Sequence, residues 1–192
     1  TPRQAEAFLL KHQRWVVRHL ERWARHGAAL PRPWPYGTSL LYRGDAHTVV
    51  VQQARAGGVD HTPDRQLLVR VPSAGIAGAQ HVLRRWLTHQ AELVLGDRVN
   101  ALGALMGLRA TRIYVRNLRR RWGSCWLGGS LSFNYRLIMA PPHILDYVVV
   151  HELAHLQERN HSPRFWSLVA GHVPAHREAR TWLRTFGACL VV

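Results

Sequence analysis

The sequence predicts an α+β fold, because helical and strand-like patterns both recur along its 192 residues. A long helical pattern runs from Ile76 to about Leu105, and groups of short alternating segments lie on either side of it. Prolines divide the C-terminal part into three shorter helical patterns. With 47% hydrophobic residues, including eight Trp, the chain has enough apolar surface for one substantial core. We therefore expect a single domain over residues 1–192.

Residues 1–72 are expected to form a helix followed by strands. Thr1 can cap a helix with Pro2 at its first position, and apolar residues recur at helical spacing until Gly27. The proline-rich segment from Pro31 to Gly37 predicts a linker. Strand patterns follow at Ser39 to Tyr42, Thr48 to Gln52 and Gln66 to Val71, the first two joined by a turn at Gly44-Asp45. A polar loop is expected from Ala54 to Asp64, with His47 and His61 as isolated surface residues.

Residues 76–192 are expected to carry the chemistry. The core contacts predicted for the long helix are Val82, Trp86, Leu93, Val94 and Leu102, and Gly96 and Gly103 are expected to bend or end it. A strand pattern from Thr111 to Asn117 leads to a hairpin that turns at Gly128-Gly129 and returns over Ser130 to Asn134. Three helices complete the chain: one opened by Pro141-Pro142, one capped by Ser162-Pro163, and one ending near Gly187.

The chain is strongly basic, since 26 Lys and Arg residues outnumber 11 Asp and Glu residues and give a formal net charge of +15. Such a surface attracts polyanions, for example nucleic acid or phosphorylated substrates; an arginine-rich composition without any ligand is the equal alternative. The densest cluster holds Arg109, Arg112, Arg116, Arg119, Arg120 and Arg121, and no acid. With Tyr114 inside it and Trp122 beside it, this cluster can engage a nucleic-acid backbone and stack a base, or form an ordinary solvated strand and turn.

Cysteine usage and hydropathy favour a reducing compartment. Cys125 and Cys189 are the two cysteines and form no C-x-x-C pair, so neither a disulfide framework nor a thiolate metal cluster is predicted. No apolar run approaches the ~18 residues of a membrane span, and the Thr1-Pro2-Arg3 start has no signal-peptide pattern. We expect a cytoplasmic protein without a membrane span.

The segment His151-Glu-Leu-Ala-His155 carries the sharpest chemical signal. Residues four apart lie on the same face of a helix, so His151 and His155 can direct two imidazoles at one ion while Glu152 lies beside them. With 13 His in the chain, chance gives roughly 0.03 such matches at this composition. The alternative is a helix with two solvated histidines. The apolar residues that precede the motif predict a buried helix, however. A metal ion satisfies buried His and Glu groups well.

A catalytic zinc ion has three protein ligands and an open position for water, so a third ligand is required. His161 follows His155 by six residues, and Asn160 tolerates the left-handed conformation that would turn the chain back toward the ion. Our expectation is one zinc ion held by His151, His155 and His161. The alternatives on later helices are Glu178, His172 and His176.

Glu152 is expected to act as the catalytic base. It cannot easily ligate the ion that its neighbours hold, and its reach suits a water in the open position. Zinc lowers the pKa of its bound water toward about 7, so the carboxylate can take the proton of that water and later pass it to the leaving group.

Further segments around the motif carry a family resemblance. They are Arg121-Trp-Gly-Ser-Cys125, Leu131-Ser-Phe-Asn-Tyr-Arg-Leu137, Ala140-Pro141-Pro142, Tyr147 to His155, Asn160-His-Ser162 and Phe165-Trp166. Together they resemble the YgjP-like metallopeptidase-domain family, which is related to the SprT and WLM domains. Metzincins share the spacing to His161 but have Gly where this chain has Glu158, and no Met follows the third His for a Met-turn.

The resemblance implies a zincin-like α+β fold, in which a small mixed β-sheet packs on helices that include the motif helix. It also implies a zinc ion on the three histidines, with Glu152 as the base. Some SprT and WLM relatives are proteases that act on protein bound to DNA, which would give the arginine cluster a purpose.

Four residues of the shared segments have no obvious chemical role: Trp122, Cys125, Asn134 and Arg136. We expect a structural role for all four. Cys125 can also approach the zinc as a resting-state ligand, although a small buried thiol is the expected state. Arg136 can bind a substrate carboxylate or phosphate, or anchor the motif helix through an ion pair such as one with Asp146. The arginines predicted as substrate or polyanion contacts are Arg119, Arg120, Arg121 and Arg136.

Three functions fit this sequence. The leading one is a zinc metallopeptidase that uses a zinc-bound water activated by Glu152, acts on protein or peptide, and works near nucleic acid. A zinc-dependent nucleotide hydrolase would turn the same site on a phosphoanhydride. The third is a nucleic-acid-binding module with a structural metal; three obvious ligands argue against it, because structural zinc is normally closed by four.

Overall fold

The computed structural model describes residues 39–73 and 75–192, which lie in one compact unit, Arg32–Val192. The strands of this part are β1 (Ser39–Tyr42), β2 (Asp45–Gln53), β3 (Gly58–His61), β4 (Gln66–Val71), β5 (Arg112–Arg116), β6 (Gly123–Cys125) and β7 (Ser130–Asn134). Its helices are α1 (Ile76–Met106), α2 (Pro142–Ala154), α3 (Pro163–His172) and α4 (His176–Phe186). The predicted α+β class is confirmed. The helix predicted before Gly27 and the linker at 31–37 lie outside the described residues, and the single domain over 1–192 stays a prediction.

The first sheet has the order β1-β2-β4-β3, in which β2 and β4 run parallel and the other neighbours run antiparallel. Strand β3 corrects the prediction of a polar loop from Ala54 to Asp64. The segment Gly58–His61 contains a single apolar side chain, Val59, so it shows no alternation. Its pairing with β4 is what makes it a strand.

The prediction of isolated surface histidines in this sheet is corrected in two respects: His47 is buried, and the two histidines contact each other, whereas His61 is exposed as expected. His47 is only 4% exposed, and its Nε2 lies 3.0 Å from Nε2 of His61. Both rings make edge contacts with Tyr42, and His61 also contacts Trp86 of α1. The two histidines meet because β2 and β3 flank the same strand, β4, a neighbourhood that the sequence does not reveal.

The turn between β1 and β2 connects the first sheet to the start of α2. Arg43 and Gly44 both have positive φ, at 53° and 89°. Their amides donate to the Ile138 and Met139 carbonyls at 2.8 and 3.1 Å. A Cβ on Gly44 would lie 2.9 Å from the Cα of Pro141, so this close approach requires glycine.

Helix α1 forms the central support of the described part. Its buried face consists of Ala79, Leu83, Leu87, Ala91, Leu95, Val99 and Gly103. The predicted core contact Leu93 is wrong, since it is 53% exposed, whereas Val82, Trp86, Val94 and Leu102 are half-buried at the edges of this face. Small residues carry much of the contact, which a pattern of large apolar residues misses. The helix continues past Gly96 and Gly103 and ends at Gly107, whose φ is 67°.

The second sheet has the order β5-β7-β6, with β5 parallel to β7 and β6 antiparallel to it. The hairpin predicted around Gly128-Gly129 is confirmed as β6 and β7. Because β7 is the middle strand, β6 is an edge strand of this sheet. The sequence predicts one small mixed sheet, whereas the structure has its strands in two mixed sheets.

Helix α2 is apolar on nearly every side, as predicted. Its buried residues are Ile144, Leu145, Tyr147, Val148, Val149, Val150, Glu152, Leu153 and Ala154. Asp146 accepts two hydrogen bonds from Arg98 of α1, at 2.6 and 3.0 Å. The pairing of Asp146 with Arg136 is therefore wrong; the ion pair that anchors this helix comes from α1. Within the described residues, no helix is both long enough and apolar enough to cross a bilayer.

Candidate active site

The two motif histidines lie at the C-terminal end of α2. His151 is in the last turn, and His155 is the residue at which the helix ends, with helical φ and ψ of −67° and −15°. The centroids of their rings are 5.0 Å apart. The i, i+4 spacing therefore brings both rings to the same side of the helix, as the sequence predicts.

His161 returns to this pair by a tight turn. The amides of Leu156, Gln157 and Glu158 donate to carbonyls of the last helical turn, and the Ser162 amide donates to the Asn160 carbonyl at 2.7 Å. Asn160 does not adopt the predicted left-handed conformation: the described non-glycine residues with positive φ are Arg43 and Arg65. The chain turns back through these backbone bonds instead.

Arg159 ties the returning segment to the β6–β7 hairpin. Its guanidinium donates to the Trp126 carbonyl at 3.2 Å and to the Leu127 carbonyl at 3.1 Å. These bonds join the segment that carries His161 to the sheet next to the cleft. Sequence reasoning did not single out Arg159, since its partners are backbone oxygens distant in sequence.

The three histidines form a compact donor set. One ring nitrogen of each of His151, His155 and His161 lies within 4.8 Å of the other two. Among the described residues, these three histidines are the group whose donor atoms are close enough to hold a metal ion. The Nε2 atoms of His151 and His161 are 3.1 Å apart. Nδ1 of His155 lies 3.1 Å from the Glu158 carbonyl oxygen; a proton on Nδ1 for that bond leaves Nε2 with a free lone pair.

Electrostatics favour the neutral, ligand-competent form of His151 and His155. Burial, followed by the charges of His155, His161 and Arg180, lowers the pKa of His151 to about 3. Burial also lowers the pKa of His155. Nδ1 of His151 is buried without a hydrogen-bond partner among the described residues. Three imidazole nitrogens that lie this close together fit a cation such as Zn²⁺.

Aromatic side chains fix the orientation of the three rings. Phe165 stacks on His155 at a centroid distance of 4.5 Å, and Trp166 stacks on His161 at 5.6 Å. Both aromatics come from the first turn of α3, where the Ser162 hydroxyl accepts a hydrogen bond from the Phe165 amide, as the predicted cap requires. Tyr147, one turn before His151, contacts that ring edge-on. Burial raises the pKa of its phenol.

The rival ligands lie outside the donor set. Glu178 and His172 are exposed, on α4 and at the end of α3. His176 is half-buried and stacks on Trp166 at 5.8 Å, so it contacts a residue that packs on His161. None of the three belongs to the group of converging donors.

Glu152 is buried directly against strand β6. It is 6% exposed, and a Cβ built on Gly123 would lie 2.6 Å from its Cγ and Oε1. Burial raises the pKa of Glu152 to about 8, against a smaller lowering effect of the Arg121 charge. Glycine at position 123 therefore makes room for the carboxyl group.

A cleft of about 700 Å³ opens beside these groups. Its walls include Trp122, Gly123, Tyr147, Val148, Trp166, Arg180, Leu183 and Arg184, and it contains His151, Glu152 and His161. Arg180 and Arg184 stand four residues apart on α4, so they share one face of that helix. Sequence reasoning missed Tyr147, Arg180 and Arg184 as lining residues; the i, i+4 arginine pair was the available signal.

The other predicted site residues lie away from the donor set. Cys125 is half-buried and not fully buried as expected; it does not join the converging donors, and burial raises the pKa of its thiol. Asn134 is a structural residue, as expected, because its amide group donates to the Leu118 and Arg121 carbonyls. Arg119, Arg120, Arg121 and Arg136 do not line the cleft but a neighbouring recess.

A family model for the YgjP-like metallopeptidase domain matches residues 1–186 of this chain. The chain belongs to that family. The resemblance read from the sequence is thereby confirmed, and so is the prediction of a metal-dependent peptidase, whose substrate is protein or peptide and whose catalytic metal is typically zinc.

Two solved structures are also similar to the described fold. One is the metallopeptidase zymogen abylysin of Pyrococcus abyssi, with a TM-score of 0.42, 20% identity, and coverage of 47% of this chain and 93% of that one. The other is the metallopeptidase zymogen jannalysin of Methanocaldococcus jannaschii, with a TM-score of 0.41, 18% identity, and coverage of 45% and 90%. No curated protein matches the chain.

Proposed function

We propose that this protein is a zinc endopeptidase in which His151, His155 and His161 hold one ion and Glu152 is the general base. The observation that carries the proposal is the convergence of three imidazole nitrogens within 4.8 Å beside a buried carboxyl group on the wall of a cleft. When bound, zinc supplies a Lewis acid that polarises a carbonyl and acidifies water.

Glu152 performs the proton transfers in this proposal. One carboxylate oxygen takes a proton from the water that attacks the peptide carbonyl carbon, and the same group then passes that proton to the amine that leaves. A carboxyl group whose pKa is near the working pH serves both steps, because it gains and loses the proton at similar cost. Burial raises the pKa of Glu152, the charge of a bound zinc would lower it again toward the working pH, and packing against Gly123 keeps the group in one position.

Strand β6 offers a binding edge for an extended substrate. It is an edge strand of its sheet, and its Gly123 lines the cleft. An extended peptide can pair with the exposed backbone groups of an edge strand, as in other β-augmentation complexes. A peptide paired with β6 would lie beside Glu152 in one defined orientation, with its carbonyl group next to the base.

We assign to Arg180 the role of stabilising the negative charge that develops on the oxygen of the attacked carbonyl group. It lines the cleft, its guanidinium lies 5.5 Å from the Trp166 ring centre, and its charge contributes to the lowered pKa of His151. A cation that lines the cleft beside the histidines can stabilise an oxyanion there. Arg180→Gln should therefore lower kcat more than it raises KM.

A second candidate function is hydrolysis of a phosphoanhydride in the same cleft. The arginines Arg180 and Arg184 favour it, because they give the cleft walls a positive charge that suits a nucleotide. A nucleic-acid-binding module with a structural metal has less support. Three converging ligands leave a structural zinc site unclosed.

Association with nucleic acid stays a prediction. The net charge of +15 supports it. The stacking surfaces do not: the Arg116 guanidinium lies 4.7 Å from the Tyr114 ring centre and covers that face, and the Trp122 ring packs against Gly187.

The test compares three substrates with the purified, zinc-loaded chain: an unfolded protein, the same protein with single-stranded DNA, and nucleoside triphosphates. The proposal predicts cleavage of the unfolded protein that disappears in Glu152→Gln. Stimulation by DNA that declines steeply with salt would support the nucleic-acid prediction. Hydrolysis of triphosphates alone, also lost in Glu152→Gln, would overturn the peptidase in favour of the second candidate.

A further inference from the structure

A second recess, which we call the arginine pocket, lies beside the cleft. Its volume is about 250 Å³, below the roughly 300–1,000 Å³ of pockets that bind drug-sized ligands. Its charged lining residues are Arg119, Arg120, Arg121 and Arg136, and none of the described residues that line it is acidic. A recess of this size and charge suits a small anionic group.

The segment that carries three of these arginines is held in place by Asn134. This residue is 3% exposed, and its amide nitrogen donates to the Leu118 carbonyl at 2.7 Å and to the Arg121 carbonyl at 3.2 Å. Its amide oxygen accepts from the Arg136 backbone N–H at 3.2 Å. One buried side chain thus connects the backbone of the 118–121 segment to that of Arg136, so the fold brings the four arginines to one recess.

The four arginines of the pocket make no ion pair among the described residues, although the charge of Arg121 acts on Glu152. Nε of Arg136 is buried and has no hydrogen-bond partner there. Buried N–H donors without a partner are rare in folded proteins and indicate an absent water or ion. An oxyanion would satisfy this donor and offset the clustered positive charge.

The arginine pocket shares two walls with the cleft. Trp122 and Leu183 line both cavities. The Trp122 ring is fixed between them, since a Cβ on Gly187 would lie 2.7 Å from its Cζ2. A group in the arginine pocket is therefore separated from the catalytic cleft by these two side chains. When one residue of a substrate peptide lies in the cleft, a neighbouring residue of that peptide can reach the pocket.

We propose that the arginine pocket binds a compact oxyanion, a carboxylate or a phosphate, carried by the peptide substrate next to the bond that is cleaved. The proposal rests on the proposed peptidase function for its substrate, but not for the binding itself. The pocket makes the enzyme selective for chains with an anionic group at one position.

The binding test is isothermal titration of the 192-residue chain with inorganic phosphate and, in a second arm, with acetate, at constant ionic strength. The pocket variant is Arg119→Gln/Arg136→Gln. The matched control is Arg84→Gln/Arg112→Gln, which removes two exposed charges outside both cavities. We expect at least tenfold weaker binding in the pocket variant and an unchanged Kd in the control. The arm that gives the tighter binding identifies the oxyanion as phosphate or carboxylate.

Equal affinities in the two variants would overturn the proposal, because binding would then follow net charge or occur at the histidines. Binding of a single-stranded oligonucleotide that the pocket variant loses, without binding of phosphate or acetate, would also overturn it in favour of nucleic acid.

A turnover test follows with paired peptides that differ by one acidic or phosphorylated residue. The pocket variant should raise KM about tenfold for the anionic peptide, leave its kcat unchanged, and leave both constants unchanged for the neutral peptide. An equal KM change for both peptides would refute a role in selectivity. If the wild type cleaves neither peptide, the peptidase assignment fails, whereas the titration still decides the anion site.

Discussion

Gly123→Ala should disable the base while leaving the metal ligands intact. The added Cβ would lie 2.6 Å from both Cγ and Oε1 of Glu152, and ordinary contacts begin at 3.4 Å, so the carboxyl group or strand β6 must move by about 0.8 Å. Misplacement of a reacting group by about 1 Å costs on the order of 100-fold in rate, or about 2.7 kcal/mol in the barrier. We therefore expect kcat to fall about 100-fold.

The assay combines peptidase kinetics with zinc content by atomic absorption. Gly128→Ala is the matched control in the same hairpin, because its added Cβ meets no atom within 4 Å. Zinc content should be equal in the wild type, Gly123→Ala and Gly128→Ala. The reasoning is refuted if Gly123→Ala keeps the kcat of Gly128→Ala, or if its activity falls only because zinc is lost.

Three further predictions concern the surroundings of the site. Asn134→Ala leaves the Leu118 and Arg121 carbonyls without their partner and should lower the free energy of unfolding by about 3 kcal/mol, which urea denaturation measures; a loss below 1 kcal/mol would contradict the assigned role. Asp146→Asn removes the carboxylate charge and one of the two oxygens that accept from Arg98 between α1 and α2. It should lower the free energy of unfolding by about 1 kcal/mol, and by less in high salt. Burial and the neighbouring His47 lower the pKa of His61 below its ordinary 6.5. The unfolded chain therefore takes up a proton at higher pH than the folded one. Because of this difference, the free energy of unfolding decreases as the pH falls below about 6.5. The decline in Tm from pH 7 to pH 5 should be smaller in His61→Gln, and parallel curves for the two proteins would count against this.

Local signals in the sequence account for most of the correct predictions. The two histidines of the motif share one face of α2 because their spacing matches the helical period, and Ser162-Pro163 starts α3 because the cap is a contact between neighbours in sequence. The return of His161 was also predictable from spacing. Its route was not, because it depends on successive backbone bonds and on Arg159 reaching the β6–β7 hairpin.

The errors share a physical cause, which is contact between segments distant in sequence. Strand β3 forms because it pairs with β4, and this pairing brings His61 to His47. Asp146 pairs with Arg98 and not with Arg136, since α1 and α2 pack side by side. The cleft arginines on α4 were missed for the same reason: their i, i+4 spacing puts them on one helix face, but the sequence does not indicate that this face lines the cleft.

The most direct test of the central claim is zinc content and peptidase activity measured together on wild type, Glu152→Gln and His161→Ala. We expect one zinc per chain in the wild type and in Glu152→Gln, with turnover in the wild type alone. We expect weakened zinc binding and no turnover in His161→Ala. Glu152→Gln with normal activity, or His161→Ala with full zinc affinity, would contradict the assignment of the base or of the third ligand.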